Sequence, residues 1–221
     1  MNLLERQLTM LISNQQKVYK LSGLNESGLD PDPFVQFGKW YQQTVAANLV
    51  EPNAMTLATA TKDGIPSARM ILLKSFDEDG FVFYTNYESQ KGRELAENPH
   101  AVLVFYWAEL ERQVRVDGEV RRVSREESEA YFRIRPVGSQ LGAWGSRQSQ
   151  VIPSREFLEE RLNELEAEYQ DREIPTPPFW GGCRLSPQTF EFWQGRPNRL
   201  HDRLRYTRQS DNRWLIERLS P

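Results

Sequence analysis

Between residues 54 and 85 the chain alternates extended apolar runs with tight-turn signals, and few folds accommodate that pattern. Residues 55–61 are followed by Lys62-Asp63-Gly64, residues 67–76 by a turn at 77–80, and residues 81–85 complete the series. Asp-Gly pairs supply the backbone freedom that a hairpin turn needs, so these strands are predicted to pair antiparallel. Residues 101–107, 112–123, 184–194, 201–208 and 214–218 read as further strands, the second with Asp117-Gly118 as a bulge. About eight antiparallel strands with few helices between them favour a closed or partly closed barrel, because closure removes exposed sheet edges.

The helices are peripheral to that pattern. Asp32 before Pro33 is an N-cap followed by an N1 proline, and Phe34, Phe37, Tyr41, Val45 and Leu49 then recur on one stripe until Pro52. Ser89 opens a short helix that Asn98-Pro99 closes. Ser124 with Glu127 forms a capping box for a helix that Pro136 stops, and Ser154 caps another running to about residue 170. A glycine-rich loop is predicted between these last two. Residues 2–19 read as a polar amphipathic helix and 20–30 as a mobile connection, so 1–30 are expected to be peripheral and 31–221 to form a single domain.

Composition narrows the function classes. Hydrophobic residues are 38% of 221, and no run approaches the ~20 apolar residues of a membrane span. No secretory signal is evident and the single Cys183 cannot form an internal disulfide, so a cytoplasmic location is expected. A net charge of −3 argues against a general nucleic-acid binder; the arginine clusters are expected to act locally, on a small phosphorylated ligand. There is no dinucleotide or Walker loop, no nucleophile elbow and no His-Glu-x-x-His, and two histidines supply a metal site poorly, so no metal is expected.

What remains is cationic and aromatic. If residues 199–206 are a strand, Arg199, His201, Arg203 and Arg205 face one way and Leu200, Leu204 and Tyr206 the other. Such a stripe is tolerable on a solvated face or against an anion, and it reads as the wall of an anion site. Arg69 and Lys74 flank an apolar strand; they are either surface charges or, given a bulge or a turn around the strand end, partners on one ligand. Ser89 is either a plain N-cap or, with Lys91, part of a helix-terminal phosphate site. Tyr131 and Arg135 share a helix face, with Ser139 beyond Pro136. Two such sets of phosphate-binding groups fit a phosphorylated cofactor beside a phosphorylated substrate, with Trp193, Trp144 and Gln113 able to border a flat ring.

The motifs that carry these residues resemble pyridoxamine 5′-phosphate oxidase from about residue 33 to the carboxyl terminus. They are Arg69-Met70-Ile71-Leu72-Leu73-Lys74, Phe83-Tyr84-Thr85-Asn86, Leu110-Glu111-Arg112-Gln113-Val114, Tyr131-Phe132 with Arg135-Pro136, Ser139-Gln140, Phe179-Trp180-Gly181-Gly182, and Glu191-Phe192-Trp193-Gln194-Gly195 with Arg199-Leu200-His201-Asp202-Arg203. The resemblance implies a split β-barrel homodimer, mainly β with peripheral helices, with flavin mononucleotide at the subunit interface. It implies oxidation of pyridoxamine or pyridoxine 5′-phosphate to pyridoxal 5′-phosphate, with dioxygen becoming hydrogen peroxide. By the same resemblance Arg69, Met70, Ile71, Leu72, Leu73, Lys74, Tyr84, Thr85, Ser89, Gln90 and Lys91 hold the flavin, completed by Gln113, Gln148, Ser149, Trp193 and Arg203, some from the partner subunit. Lys74, Tyr131, Arg135 and Ser139 take the substrate phosphate, Lys17 and Tyr19 belong to an amino-terminal lid over the substrate, and Arg199 and His201 lie against its ring as the catalytic pair. Family members often carry arginine where this chain has Gln90, and an arginine pair where it has Gln16-Lys17. A different split-barrel flavin reductase would not need the set at Tyr131, Arg135 and Ser139, and a non-catalytic vitamin B6 phosphate carrier would not need the flavin set.

Overall fold

A computed structural model of the chain describes residues 19, 21 and 23–221. Within them nine strands form one sheet in which every pairing is antiparallel: β1 (Ala54–Ala60), β2 (Pro66–Leu72), β3 (Ser75–Asp77), β4 (Gly80–Asn86), β5 (His100–Trp107), β6 (Arg112–Arg122), β7 (Trp180–Gln194), β8 (Asp202–Arg208) and β9 (Trp214–Arg218). The strand path runs β2-β1-β5-β6-β7-β4-β3, with β8 on β7 and β9 on β8. The two ends of that path, β2 and β3, are consecutive in sequence and separated only by Leu73 and Lys74. Leu73 N–H donates to Asn53 O and Lys74 N–H to Val82 O, each at 2.9 Å, so adjacent residues stitch to opposite sides of the split. The sheet is thereby a partly closed barrel, the predicted fold class. The expected single strand 67–76 is two strands, because the chain turns from one rim to the other at this point. The bulge is where the sequence placed it, between Asp117 and Gly118.

Among the described residues five α-helices surround the sheet. α1 (Pro33–Ala46) starts as read, with Asp32 Oδ1 accepting the Phe34 N–H at 2.8 Å, and it ends before Asn48, which takes a left-handed φ of 52°. Its Phe37 is fully buried, meeting Phe76, Phe81 and Phe105 at ring separations of 4.9, 4.9 and 5.0 Å. Each such side chain contributes about 1.5–3 kcal/mol through burial, so α1 acts as the plug of the main core. A satellite core of Phe132, Leu141, Leu165, Ile174 and Trp180 lies beneath α3 (Arg125–Arg133), α4 (Val137–Gly145) and α5 (Arg155–Glu168). α2 (Gln90–Glu97) follows β4.

Three further sequence expectations change. The glycine-rich loop is the helix α4: Gly138 and Gly142 have open space at their Cβ positions, Leu141 is buried, and Gln140 Nε2 donates to the Arg133 and Arg135 carbonyls. β7 begins at Trp180 rather than 184, and a Cβ on Gly181 would lie 2.2 Å from the Tyr87 hydroxyl, so the close approach requires glycine there. Residues 23–30 are pinned rather than loose: Leu24 is buried, its N–H donates to Asp202 Oδ2 at 3.0 Å, and Arg218 holds the Leu24 carbonyl and Glu26. The helix expected at 2–19 lies outside the described residues, apart from Tyr19.

Candidate active site

A cleft of about 1090 Å³ opens where the rim of β2 faces β4, the start of α2, the end of α3 and α4. It gathers Arg69, Met70, Ile71, Leu72, Lys74, Tyr84, Thr85, Gln90, Lys91, Tyr131, Arg135, Ser139, Gln148 and Ser149 from the sequence-predicted set. The turn at Leu73-Lys74 is what lets Arg69 and Lys74, of opposite parity in a regular strand, line one space. Leu73 instead points into the core at 5% exposure. Ser89 is fully buried, its hydroxyl accepting the Gly92 N–H and donating to Asn86 O, so it organises the α2 terminus rather than lining the cleft. The sequence reading missed Trp180 and Ile134 in the wall, and Glu94 behind it. Glu94 is four residues after Gln90, and that spacing on one helix face was the available signal.

The cleft is strongly cationic. Arg69 donates through Nη1 to Leu57 O and Thr59 Oγ1, and through Nη2 to Ser67 Oγ at 2.6 Å and Glu94 Oε2 at 3.2 Å. Burial would raise the Glu94 pKa, but hydrogen bonds from Ser67, Thr59, Gln90 and Arg69 outweigh it and hold the carboxyl at about 2. Lys91 Nζ donates to Gln148 Oε1 at 3.0 Å, and burial, with Arg69 nearby, lowers its pKa. Tyr84 stacks on Tyr131 at 3.9 Å and 17°, and burial pushes its phenol up to about 12. Arg135 lies over Trp180 at 4.7 Å, its pKa lowered by burial, and its Nη1 is buried with no acceptor among the described residues. An unpaired buried donor costs about 1–3 kcal/mol. One carried by a guanidinium at the wall of a cationic cleft fits a site built for an anion.

The remaining predicted residues gather elsewhere, around the ends of β7 and β8. Tyr19, Trp193 and His201 form an aromatic triangle with ring separations of 5.7, 5.4 and 4.7 Å. A Cβ on Gly195 would lie 2.4 Å from the Tyr19 ring, so this motif glycine makes room for it. Gln113 is in register with Trp193, which is in register with Arg203. Neither these five predicted residues nor Arg199 lines the cleft. Lys17 lies outside the described residues.

Residues 199–205 do not form the continuous strand on which the expected anion wall depended. The strand begins at Asp202; Pro197–Arg199 form a 3-10 turn with Asn198 and Arg199 at φ of 58° and 62°, and Leu200 is 69% exposed rather than facing inward. Arg203 and Arg205 do share a face, but carboxylates of neighbouring strands compensate them, Glu191 on β7 and Glu217 on β9, each at 2.8 Å. Arg199 is free of that pairing, exposed at the turn.

His201 Nδ1 accepts the Arg196 N–H at 3.1 Å, which requires that nitrogen to be deprotonated and leaves the proton on Nε2. Burial, then the neighbouring Arg199, lowers its pKa below the ordinary 6.5. The neutral form is therefore favoured by the fold. The associated stability is present above the unfolded value and is lost as pH falls through the lower folded one. An NMR titration should place the His201 midpoint below 6.5; a midpoint at or above it would show that burial and Arg199 do not favour the neutral ring.

The family described as Pyridoxamine 5′-phosphate oxidase matches residues 41–168, and the Pyridoxine 5′-phosphate oxidase C-terminal dimerisation region matches residues 180–221. A Nostoc protein named Pyridoxine/pyridoxamine 5′-phosphate oxidase is 60% identical over 210 residues, 95% of this chain and 98% of its own. A protein of the same name from Rubrobacter xylanophilus is 59% identical over 95% of this chain and 96% of its own. Among solved structures, PhzG from Burkholderia lata, in complex with tetrahydrophenazine-1-carboxylic acid, is similar with a TM-score of 0.86 and 33% identity, covering 93% of this chain and all of that one.

Proposed function

Because the chain belongs to the pyridoxamine 5′-phosphate oxidase family, we propose that its cleft holds flavin mononucleotide beside a phosphorylated substrate and that a second copy completes the site. The chain is a pyridoxine/pyridoxamine 5′-phosphate oxidase that produces pyridoxal 5′-phosphate, with flavin mononucleotide as its cofactor. It carries a C-terminal dimerisation region over residues 180–221, and no helix among the described residues is long and apolar enough to cross a membrane.

The residues present fit the flavin. Arg69 to Leu72, Lys74, Tyr84, Thr85, Gln148, Ser149 and the amino end of α2 with Gln90 and Lys91 would hold it, the free N–H groups of that helix adding to the cations around a phosphate. Lys74, Tyr131, Arg135 and Ser139 would take the substrate phosphate. The buried, unpaired Arg135 Nη1 is the observation that carries this reading. The separation of Gln113, Trp193, Arg199, His201 and Arg203 from the cleft of the same chain supports the homodimer, in which a second copy would bring these groups to the cleft. That copy would also exclude water.

When bound, the flavin supplies the two-electron acceptor, and dioxygen takes those electrons on to hydrogen peroxide. The protein's part is positional: the phosphate is gripped as a handle so that the substrate ring is held at reacting distance. Arg199 and the Nε2–H of His201 present a cation and a hydrogen-bond donor to the ring oxygen or the exocyclic group, favouring the charge distribution of the aldehyde. The purified protein should be yellow, and adding pyridoxamine 5′-phosphate in air should yield peroxide, aldehyde and, with uptake of one water, ammonia in equal amounts. A colourless protein that flavin mononucleotide cannot reconstitute would sink the reading; a yellow one that makes no aldehyde would point to a flavin reductase.

A further inference from the structure

A carboxylate buried beside a phosphate-binding cleft is electrostatically out of place, and Glu94 is one. It is 5% exposed on the second turn of α2. Its Oε2 accepts from Thr59, Ser67 and Arg69, and its Oε1 from Gln90 Nε2 at 2.9 Å. An ionised group so placed repels any phosphate that Arg69 attracts, so its benefit to the site must come from geometry rather than charge.

The geometry is explicit. An arginine side chain carries about 2 kcal/mol of rotamer freedom that a ligand contact must overcome. Here both terminal nitrogens of Arg69 are already committed: Nη1 to Leu57 O and Thr59 Oγ1, Nη2 to Ser67 Oγ and Glu94 Oε2. Glu94 touches Arg69 and also the hydroxyls of Thr59 and Ser67 that share it, so a single carboxylate sets the orientation of three donors and links β1, β2 and α2. Gln90, which lines the cleft, is held by the same group.

We propose that Glu94 is a positioning residue of the flavin site, fixing the Arg69 guanidinium and the Gln90 amide for the cofactor phosphate without touching it. The inference rests on the reading that Arg69 meets that phosphate. Two variants separate position from charge. Glu94→Asp keeps the charge and withdraws the carboxylate by one methylene. Glu94→Gln keeps an oxygen for Arg69, Thr59 and Ser67, and Gln90 can turn its amide to accept from the new NH2 group.

Binding is followed by flavin fluorescence on the full-length apoprotein, with flavin mononucleotide and with riboflavin, which lacks the phosphate. Glu94→Asp should weaken flavin mononucleotide about tenfold and leave riboflavin unchanged, whereas Glu94→Gln should stay within about threefold for both. If Glu94→Asp binds like wild type, or loses both flavins equally, or if Glu94→Gln falls as far as Glu94→Asp, the positioning role is overturned. Arg69→Met tests the premise on its own: it should lose the phosphate-bearing flavin selectively, and an unchanged affinity would remove Arg69 from the phosphate while leaving the Glu94 comparison to be read separately.

Discussion

Replacing Arg135 by alanine is expected to raise the Michaelis constant for pyridoxamine 5′-phosphate by about 10- to 150-fold, the loss of one charge-assisted hydrogen bond worth about 1.5–3 kcal/mol. Flavin affinity should be unaffected, because Arg135 is assigned to the substrate phosphate, on α3's side of the cleft. Stability should change little. The variant loses the stacking of the guanidinium on Trp180, but it also removes a buried Nη1 that has no acceptor among the described residues. Steady-state kinetics with the phosphorylated substrate and its unphosphorylated counterpart give the check. An unchanged Michaelis constant for the phosphorylated form removes Arg135 from the substrate site.

The second large effect is expected at Arg199. Arg199→Ala should lower turnover by about 100-fold, the magnitude typical of deleting one preorganised donor at a reacting centre, with flavin affinity held within about threefold. Equal losses in both would count against its assignment to the substrate. The backbone offers a further control. Arg199 follows Asn198 in the left-handed region, at φ of 62°, where a side chain bearing a Cβ is strained by about 1 kcal/mol and glycine is not. Arg199→Gly should therefore be as impaired in turnover as Arg199→Ala yet unfold at a higher denaturant concentration. If glycine brings no gain over alanine, the turn is not strained, and the conformation of Arg199 is not being held against its own preference.

The parts of this fold that were legible in the sequence are those set by neighbours in the chain. Asp32-Pro33, Ser124 with Glu127, and Ser154 cap helices through bonds spanning two or three residues, and Asp117-Gly118 marks a bulge through local backbone freedom. The misreadings are mostly tertiary. Glycines at 138, 142 and 145 looked like a loop until Leu141 found a core to enter. The stripe at 199–205 looked as if it needed an external anion because its carboxylates, Glu191 and Glu217, arrive from other strands by register. Residues 199–201 looked like strand because nothing local announces the consecutive left-handed residues that start the turn. For the site, the cations were visible from composition and motif. Which of them share one cleft was not, since strand parity separated Arg69 from Lys74 until the chain changed rims between them. The grouping of Tyr19, Trp193 and His201 away from the cleft follows from β7 and β8 pairing, which no single segment records.

The two-residue stitch at Leu73-Lys74 has a consequence for how chains of this kind can vary in length. Most hairpin connections tolerate an added residue, because the extra backbone simply bows into solvent. This connection has no slack: Leu73 is bonded to one rim, Lys74 to the other, and neither bond survives a shift along the chain. An insertion here would let the rims drift apart and, by reversing parity, would swing the Lys74 amine away from the ligands. A gap in an alignment at this point would thus signal a change of chemistry, whereas a gap at the Lys62-Asp63-Gly64 turn would signal none.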